Sequence, residues 1–266
     1  MTADYYRNGK SNTASNINIP SLKVINGGAK VQEIKYNKDG TIKKNKCNKQ
    51  SGKSSEVFAF KTKEELEAMY TVFNNRIESA TNKEDRQIAY RNKLLFALGI
   101  HLGIRASDLR TLQWSFFFDE NGKFRKSYVI QPKKQKKYGK FVTLFFNDTV
   151  KKAVNNYLSE YPYEDSNTLV FKSRQSNDAI KEGTIWNIVD KAAKEAGITQ
   201  NIGSHSLRKT FGYWIWHKAE DKNKALVILM QIFGHSDTAT TAKYIGITTD
   251  EISDTFDSIE LDFGCL

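Results

Sequence analysis

The chain of 266 residues is long enough for one large domain or two small ones, with a core that needs no disulfide or metal to support it. Its net charge of +11 favours a polyanionic partner. Cys47 and Cys265 are far apart and the histidines form no HxxxH or HExxH pair, so neither a disulfide framework nor a structural zinc site is indicated. The chain has no apolar run of about eighteen residues and no secretory leader, so we expect a cytoplasmic protein that contacts no membrane.

Residues 1–56 differ in composition from the rest of the chain. They are polar, rich in Asn, Lys, Gly and Ser, and carry many more basic than acidic side chains. Such a segment can bury little apolar surface, so we predict a basic N-terminal arm that is flexible or weakly structured. It either lies along the polyanion or is a disordered tail.

Two long helices are predicted at the start of the folded part. Thr62 and Glu65 have the spacing of a capping box, and apolar residues recur at helical spacing after them. A second helix is predicted over residues 85–101 and should stop at Gly103. The side chains expected to reach the core from these helices are Leu66, Met69, Tyr70, Phe73, Ile77, Ile88, Leu94, Leu95, Leu98 and Ile100.

The stretch LGIRASDLRTLQW follows at residues 102–114. Arg105 stands just beyond the glycine that ends the second helix, and Ser107 is positioned to cap a short helix that contains Asp108. Rigid elements should therefore hold Arg105 in place. Asp108 either braces the arginines or is a surface carboxylate near a helix N-terminus, where the helix dipole favours it.

A small antiparallel sheet is predicted next. Asn121 and Gly122 are a hairpin signal, and two strands are expected at about residues 128–131 and 141–146. By itself a basic turn between strands is typical of a solvated charged hairpin. The turn PKKQKKYGK, between the strands, carries Lys133, Lys134, Lys136, Lys137 and Lys140.

Helices are expected in most of the remaining chain. They are predicted over residues 148–159 and 184–195, where Gly197 ends the second, and over residues 225–233, where Gly234 ends the third. The fold class is therefore mixed α+β and mainly α-helical, with one small antiparallel sheet and a short basic N-terminal arm.

Four residues suited to phosphate chemistry lie between residues 203 and 244. His205 and Arg208 are three positions apart, so they share one face of a helix and can point at one anion. Arginine presents a planar fork of donors that stays charged at neutral pH and matches phosphate oxygens. His235 and Tyr244 are nine positions apart, and a turn followed by the helix TATTAKYI can bring the imidazole and the phenol together.

These blocks resemble those of the tyrosine recombinase, or phage integrase, family. The family's first block, Gly-hydrophobic-Arg-x-Ser-acid-Leu, is matched at residues 103–109. Its second block, His-x-Leu-Arg with a following Thr, is matched at residues 205–210, and its Leu/Phe-Gly-His-Ser block at residues 233–236. The family's nucleophile follows that last histidine by nine residues, which is the position of Tyr244. The resemblance covers about residues 58–259.

The resemblance implies a catalytic domain over residues 57–248 and a set of site residues within it. The family places its catalytic lysine on a β-hairpin between the two arginine blocks, where Lys134 matches best and Lys133 second, although the usual following Thr or Gly is missing. The implied catalytic residues are Arg105, Lys134, His205, Arg208, His235 and Tyr244, with Asp108 bracing the arginines. The expected DNA contacts are Lys133, Lys136, Lys137, Lys140 and Lys209.

A family member of this kind would be a site-specific DNA recombinase encoded by a bacterium, a phage or another mobile element. It would cleave and rejoin double-stranded DNA through a 3′-phosphotyrosine, in integration, excision, inversion or resolution, without a metal, ATP or another cofactor. It would form a homo-tetramer on DNA, be a monomer or weak oligomer when free, and could use an accessory DNA-bending protein. Two alternatives stay open: a DNA-relaxing enzyme like the type IB topoisomerases, and a catalytically silent DNA-binding protein of the same fold.

The two ends of the chain carry separate expectations. Residues 249–266 are acidic and have an apolar stripe of Ile252, Phe256 and Ile259, which predicts a helix. This helix either folds back on its own domain or, as in the family, docks into a neighbouring protomer. Family members usually carry an N-terminal helical domain that closes over the DNA, and we expect no room for one in this chain.

Overall fold

The structure is a computed structural model that describes residues 56–134 and 136–247. These residues belong to the unit Ser55–Leu266. The predicted acidic C-terminal segment lies outside the described ranges, as does the predicted N-terminal arm apart from its last residue, Glu56.

Helices make up most of the described chain, and the predicted mainly helical α+β class is confirmed. The α-helices of the described residues are α1 (Lys63–Glu78), α2 (Lys83–Leu102), α3 (Ala106–Leu109), α4 (Asp148–Leu158), α5 (Glu182–Glu195), α6 (Ser204–Lys218), α7 (Lys222–Phe233) and α8 (Thr238–Ile245). The strands are β1 (Ser127–Ile130) and β2 (Val142–Phe145). None of these helices has the length and apolar composition that crossing a bilayer requires.

Local capping explains where the first helices begin and end. The predicted capping box of α1 is confirmed, because the Thr62 side chain accepts from the Glu65 N–H and the Glu65 side chain accepts from the Thr62 N–H. Helix α2 begins two residues before the predicted start because Asn82 caps it, and it ends at Gly103 with φ +60°. The predicted Ser107 cap is wrong, since α3 has Arg105 at its N-cap position without a side-chain cap bond.

The predicted antiparallel sheet is confirmed as a two-stranded ribbon. Strands β1 and β2 pair from Ser127 opposite Phe145 to Ile130 opposite Val142. The predicted Asn121-Gly122 turn precedes the ribbon, and Gly122 has φ +73° there. The connection between the strands is the lysine-rich turn, which includes a short 3-10 helix at Lys136–Tyr138.

Two apolar clusters hold the helices in place. Helix α2 packs against α1, α4 and α6 in the larger cluster, where Phe96 is fully buried and its ring meets those of Phe60, Tyr70 and Phe73. The predicted core side chains of α1 and α2 are buried or half-buried. The smaller cluster joins α6, α7 and α8, and its fully buried members are Leu229, Phe233 and Ile245.

Candidate active site

Helix α6 carries His205 and Arg208 near its N-terminus. His205 is exposed at the surface, whereas Arg208 is buried with 5% of its surface accessible. The Arg208 guanidinium donates from Nη1 to the carbonyl oxygen of Gly103, at the end of α2. It also lies 4.3 Å from the centroid of the Phe233 ring, at the end of α7. Three helices therefore fix this guanidinium.

The two arginines of the site share one acceptor. Nη2 of Arg105 and Nη2 of Arg208 each donate to the carbonyl oxygen of Phe233, at 3.2 Å in both cases. Phe233 is the last residue of α7, and the free carbonyls of a helix C-terminus carry partial negative charge. This carbonyl therefore stabilises two like charges side by side. Burial and then the charge of Arg105 lower the pKa of Arg208 to about 10, so it remains protonated at neutral pH.

The predicted meeting of imidazole and phenol is confirmed. Gly234 ends α7 with φ +68°, and Asp237 caps the start of α8 two residues after His235. The rings of His235 and Tyr244 meet edge to face, with centroids 5.1 Å apart. The Phe233 ring contacts both neighbours of the site, because its centroid lies 5.3 Å from that of the Tyr244 ring and 4.3 Å from the Arg208 guanidinium carbon. The phenol thus contacts an imidazole, and one phenylalanine ring links it to a buried guanidinium.

The site keeps Tyr244 protonated and His205 neutral at pH 7. Burial raises the pKa of Tyr244, and the charges of Arg208 and Arg105 offset only part of this effect. The pKa of His205 is lowered, first by partial desolvation of its ring and then by the positive charge of Lys134 and of the neighbouring cations. A phenol that stays protonated needs a base to become a nucleophile, and a neutral imidazole can serve as that base.

Thr241 fixes the orientation of the His235 ring. The fully buried Thr241 hydroxyl lies 3.0 Å from Nδ1 of His235 and donates to the carbonyl of Asp237 at 3.2 Å. A hydroxyl has one hydrogen to donate, so in this arrangement Nδ1 donates to Thr241 and a ligand would meet Nε2. Desolvation and then the arginine charges lower the pKa of His235. An anion bound between the arginines would oppose this shift and favour the donating, protonated ring.

Asp108 contacts the lysine-rich turn, not the arginines it was expected to brace. Its buried carboxylate accepts from the backbone N–H of Lys133 at 2.9 Å. The arginines instead reach the Phe233 carbonyl. The negative charge of Asp108 still favours the protonated form of Arg208. Asp108 therefore anchors the start of the turn that carries Lys134.

The predicted lysines fall into two environments. Those of the turn are exposed, and the positive charge of Lys134 contributes to the lowered pKa of His205. Lys209 differs because it follows Arg208 on the inner side of α6 and is 8% exposed. Its Nζ lies 3.3 Å from the Glu56 carboxylate and 5.6 Å from the centroid of the Tyr244 ring. The exposed members are Lys133, Lys134, Lys136, Lys137 and Lys140.

The sequence did not predict the groups that hold the arginines and the His235 ring in position. The Phe233 and Gly103 carbonyls are backbone atoms, and no residue type marks them. Gly234 was the available signal, because a glycine that ends a helix implies free carbonyls just before it. Thr241 carried no signal, since a threonine in a short helix is ordinarily read only as a helix residue.

The sequence model of the phage integrase family matches residues 59–251. The chain belongs to this family. It is 29% identical over 160 residues to the probable integrase/recombinase YoeC of Bacillus subtilis, an alignment that covers 60% of this chain and 80% of YoeC. It is 26% identical over 171 residues to the tyrosine recombinase XerA of Pyrococcus horikoshii, covering 64% of this chain and 55% of XerA.

Solved structures share the fold of this phage integrase family member. One is the XerH site-specific recombinase bound to palindromic difH substrate in a post-cleavage complex, with a TM-score of 0.55 at 20% identity over 74% of this chain and 51% of XerH. Another is the XerA recombinase, with a TM-score of 0.55 at 17% identity over 79% of this chain and 65% of XerA. The chain thus spans about half to two thirds of the length of these Xer recombinases.

Proposed function

We propose that the protein is a site-specific DNA recombinase that cleaves and rejoins double-stranded DNA through a 3′-phosphotyrosine on Tyr244. The observation that carries the proposal is the position of the Tyr244 phenol. Its ring lies against the rings of His235 and Phe233. The Phe233 ring also contacts Arg208, and the Phe233 carbonyl accepts from both Arg105 and Arg208. A phenol grouped with two arginines and an imidazole suits attack on a phosphodiester.

The arginines supply the electrostatic part of the reaction. A phosphodiester resists attack because its charged oxygens repel a nucleophile, and negative charge builds on those oxygens in the transition state. Arg105 and Arg208 are fixed before substrate binds, so they neutralise this charge without reorganising. In such preorganised sites, loss of one donor costs about 10²- to 10³-fold in rate.

Proton transfer then completes the step. The Tyr244 oxygen attacks phosphorus as its proton passes to neutral His205, and the bond from phosphorus to the 5′ oxygen breaks. Lys134 protonates the departing 5′ oxygen as general acid, while His235 donates from Nε2 to a phosphate oxygen. Reversal of the same steps by a different 5′ hydroxyl rejoins the strand, because the aryl phosphodiester conserves the energy of the broken bond.

DNA contact in this proposal begins at the exposed lysine-rich turn. Its lysines lie on the connection between β1 and β2, next to the site through the Asp108 contact to Lys133. Exposed cations of this kind bind the phosphate backbone and release counterions, so the affinity should fall steeply with salt. A flat dependence between low and moderate salt would contradict this part of the proposal.

We propose that the protein assembles when it is bound to DNA and is a monomer or weak oligomer when free. A homo-tetramer on DNA would pair and exchange strands, with residues 249–266 docking into a neighbouring protomer and an accessory DNA-bending protein as a further partner. Deleting the residues after Thr248 should then lower cooperative assembly on DNA, measured by sedimentation, more than it lowers the melting temperature. Equal losses would support docking of this segment on its own domain.

Trapping the covalent intermediate tests the function directly. Nicked duplexes tiled from the DNA that flanks the gene are incubated in EDTA with the wild type or with Tyr244→Phe, then run on a denaturing gel. We expect a slow band that contains DNA and protein, on specific tiles and only with the wild type. DNA binding without such a band would favour a silent DNA-binding protein. Relaxation of supercoiled plasmids that lack those tiles would favour the topoisomerase-like alternative.

A further inference from the structure

A short segment ahead of α1 runs along α6 and is anchored there. We call residues 56–61 the N-terminal strap. The Phe60 N–H donates to the Thr210 hydroxyl at 2.9 Å, and the Phe60 carbonyl accepts from Nε1 of Trp214, also at 2.9 Å. The Phe60 side chain is fully buried in the main core. This part of the strap therefore has a fixed position relative to the helix that carries Arg208.

Lys61 follows this anchor and reaches the helix that carries Tyr244. Its Nζ donates to the carbonyl oxygen of Gly246 at 2.7 Å and lies 5.0 Å from the centroid of the Tyr213 ring. Gly246 ends α8 with φ +79°, two residues after Tyr244. Carbonyls at a helix C-terminus carry partial negative charge, so an ammonium placed there is favourable.

A second contact joins the strap to the Tyr244 ring. The Glu56 carboxylate lies 3.3 Å from Nζ of Lys209, and that ammonium lies 5.6 Å from the centroid of the Tyr244 ring. Asn201 holds the backbone here, because it accepts from the Phe58 N–H and its side chain donates to the Glu56 carbonyl, each at 2.9 Å. The strap therefore contacts the surroundings of Tyr244 at both of its ends.

We propose that Lys61 is a positioning residue for Tyr244. Helix α8 has eight residues, and a helix of this length owes its place to tertiary contacts because isolated helices so short are marginal in water. Lys61 ties the end of α8 nearest Tyr244 to the strap, and Phe60 ties the strap to α6. The inference rests on the proposed role of Tyr244 as nucleophile, although the contact itself can be tested without DNA.

Hydrogen exchange of the full chain tests the contact. Lys61→Met keeps the apolar stem and removes the charge, and Lys63→Met removes one charge from an exposed lysine two positions on. We expect exchange in residues 241–247 to rise about tenfold in Lys61→Met, as for loss of a hydrogen bond to a charged group. Lys61→Arg and Lys63→Met should exchange like the wild type. An unchanged rate in Lys61→Met, or a rise throughout the domain, would overturn the proposal.

Single-turnover cleavage of the nicked DNA tests the consequence for Tyr244. We expect Lys61→Met to lower the rate of covalent complex formation at least about tenfold, while its DNA affinity equals that of Lys63→Met and Lys61→Arg restores the rate. Equal cleavage rates in Lys61→Met and Lys63→Met would overturn the positioning role. If the wild type forms no covalent complex, the proposed function fails, and the exchange result still decides whether Lys61 holds α8.

Discussion

Replacing Gly212 with alanine is expected to displace the helix that carries Tyr244. Gly212 lies in α6 and is buried. A Cβ atom built there would lie 2.5 Å from Cγ2 of Ile245 and 2.9 Å from the Phe233 ring. Carbon atoms in contact sit about 3.5–4.0 Å apart, so α8 or α7 must move by about 1 Å to admit one methyl group.

The expected magnitudes differ sharply between stability and activity. Overpacking costs about 1–3 kcal/mol, and the better helix propensity of alanine offsets about 1 kcal/mol of this. Gly212→Ala should therefore lower the free energy of unfolding by about 0–2 kcal/mol and leave a folded protein. A displacement of about 1 Å at a reacting group costs about 10²-fold in rate. Covalent complex formation should thus fall about a hundredfold at saturating DNA.

Gly183→Ala is the matched control, because Gly183 lies in α5 and an added Cβ there meets no atom within 4 Å. Both variants are assayed by thermal melting, DNA binding and single-turnover cleavage of the nicked duplex. The control should melt and cleave like the wild type or melt slightly higher. If Gly212→Ala is folded, binds DNA and cleaves at the wild-type rate, then close approach of α6 and α8 does not set the position of Tyr244.

Three further predictions concern the site and the turn. Thr241→Val keeps the shape of the side chain and removes the hydrogen-bond partner of His235 Nδ1. It should lower the free energy of unfolding by about 1–3 kcal/mol and also lower the cleavage rate. Unchanged melting and cleavage would contradict the role given to this hydroxyl. Since the pKa of His205 lies below its ordinary 6.5, the cleavage rate should rise with pH with a midpoint below pH 6.5, and His205→Gln should abolish this rise. A wild-type midpoint above pH 6.5 would argue against His205 as the base. Lys136→Gln should reduce the slope of log affinity for DNA against log salt concentration by about 1, measured by titration at several salt concentrations. An unchanged slope would show that this lysine does not contact DNA phosphate.

Local interactions made much of this protein predictable from its sequence. The Thr62 and Glu65 capping box, the stop of α2 at Gly103 and the hairpin turn depend on residues only a few positions apart. The meeting of His235 and Tyr244 is also local, since one turn and one short helix separate them. Contacts between side chains a few positions apart can be predicted from the sequence, because backbone geometry fixes which side chains share a face.

Packing between distant elements decided the rest. Arg105 and Arg208 are far apart in sequence, and they share the Phe233 carbonyl only because the C-terminal ends of α2 and α7 meet the N-terminal part of α6. The same packing turned Asp108 toward Lys133 and buried Lys209, although both residue types are ordinarily solvated. Periodicity shows that a helix has a buried face, but it does not show which helix end that face will meet. The sequence by itself therefore determined the elements and the identity of the reactive groups, and the tertiary structure alone decided which backbone carbonyls hold them in position.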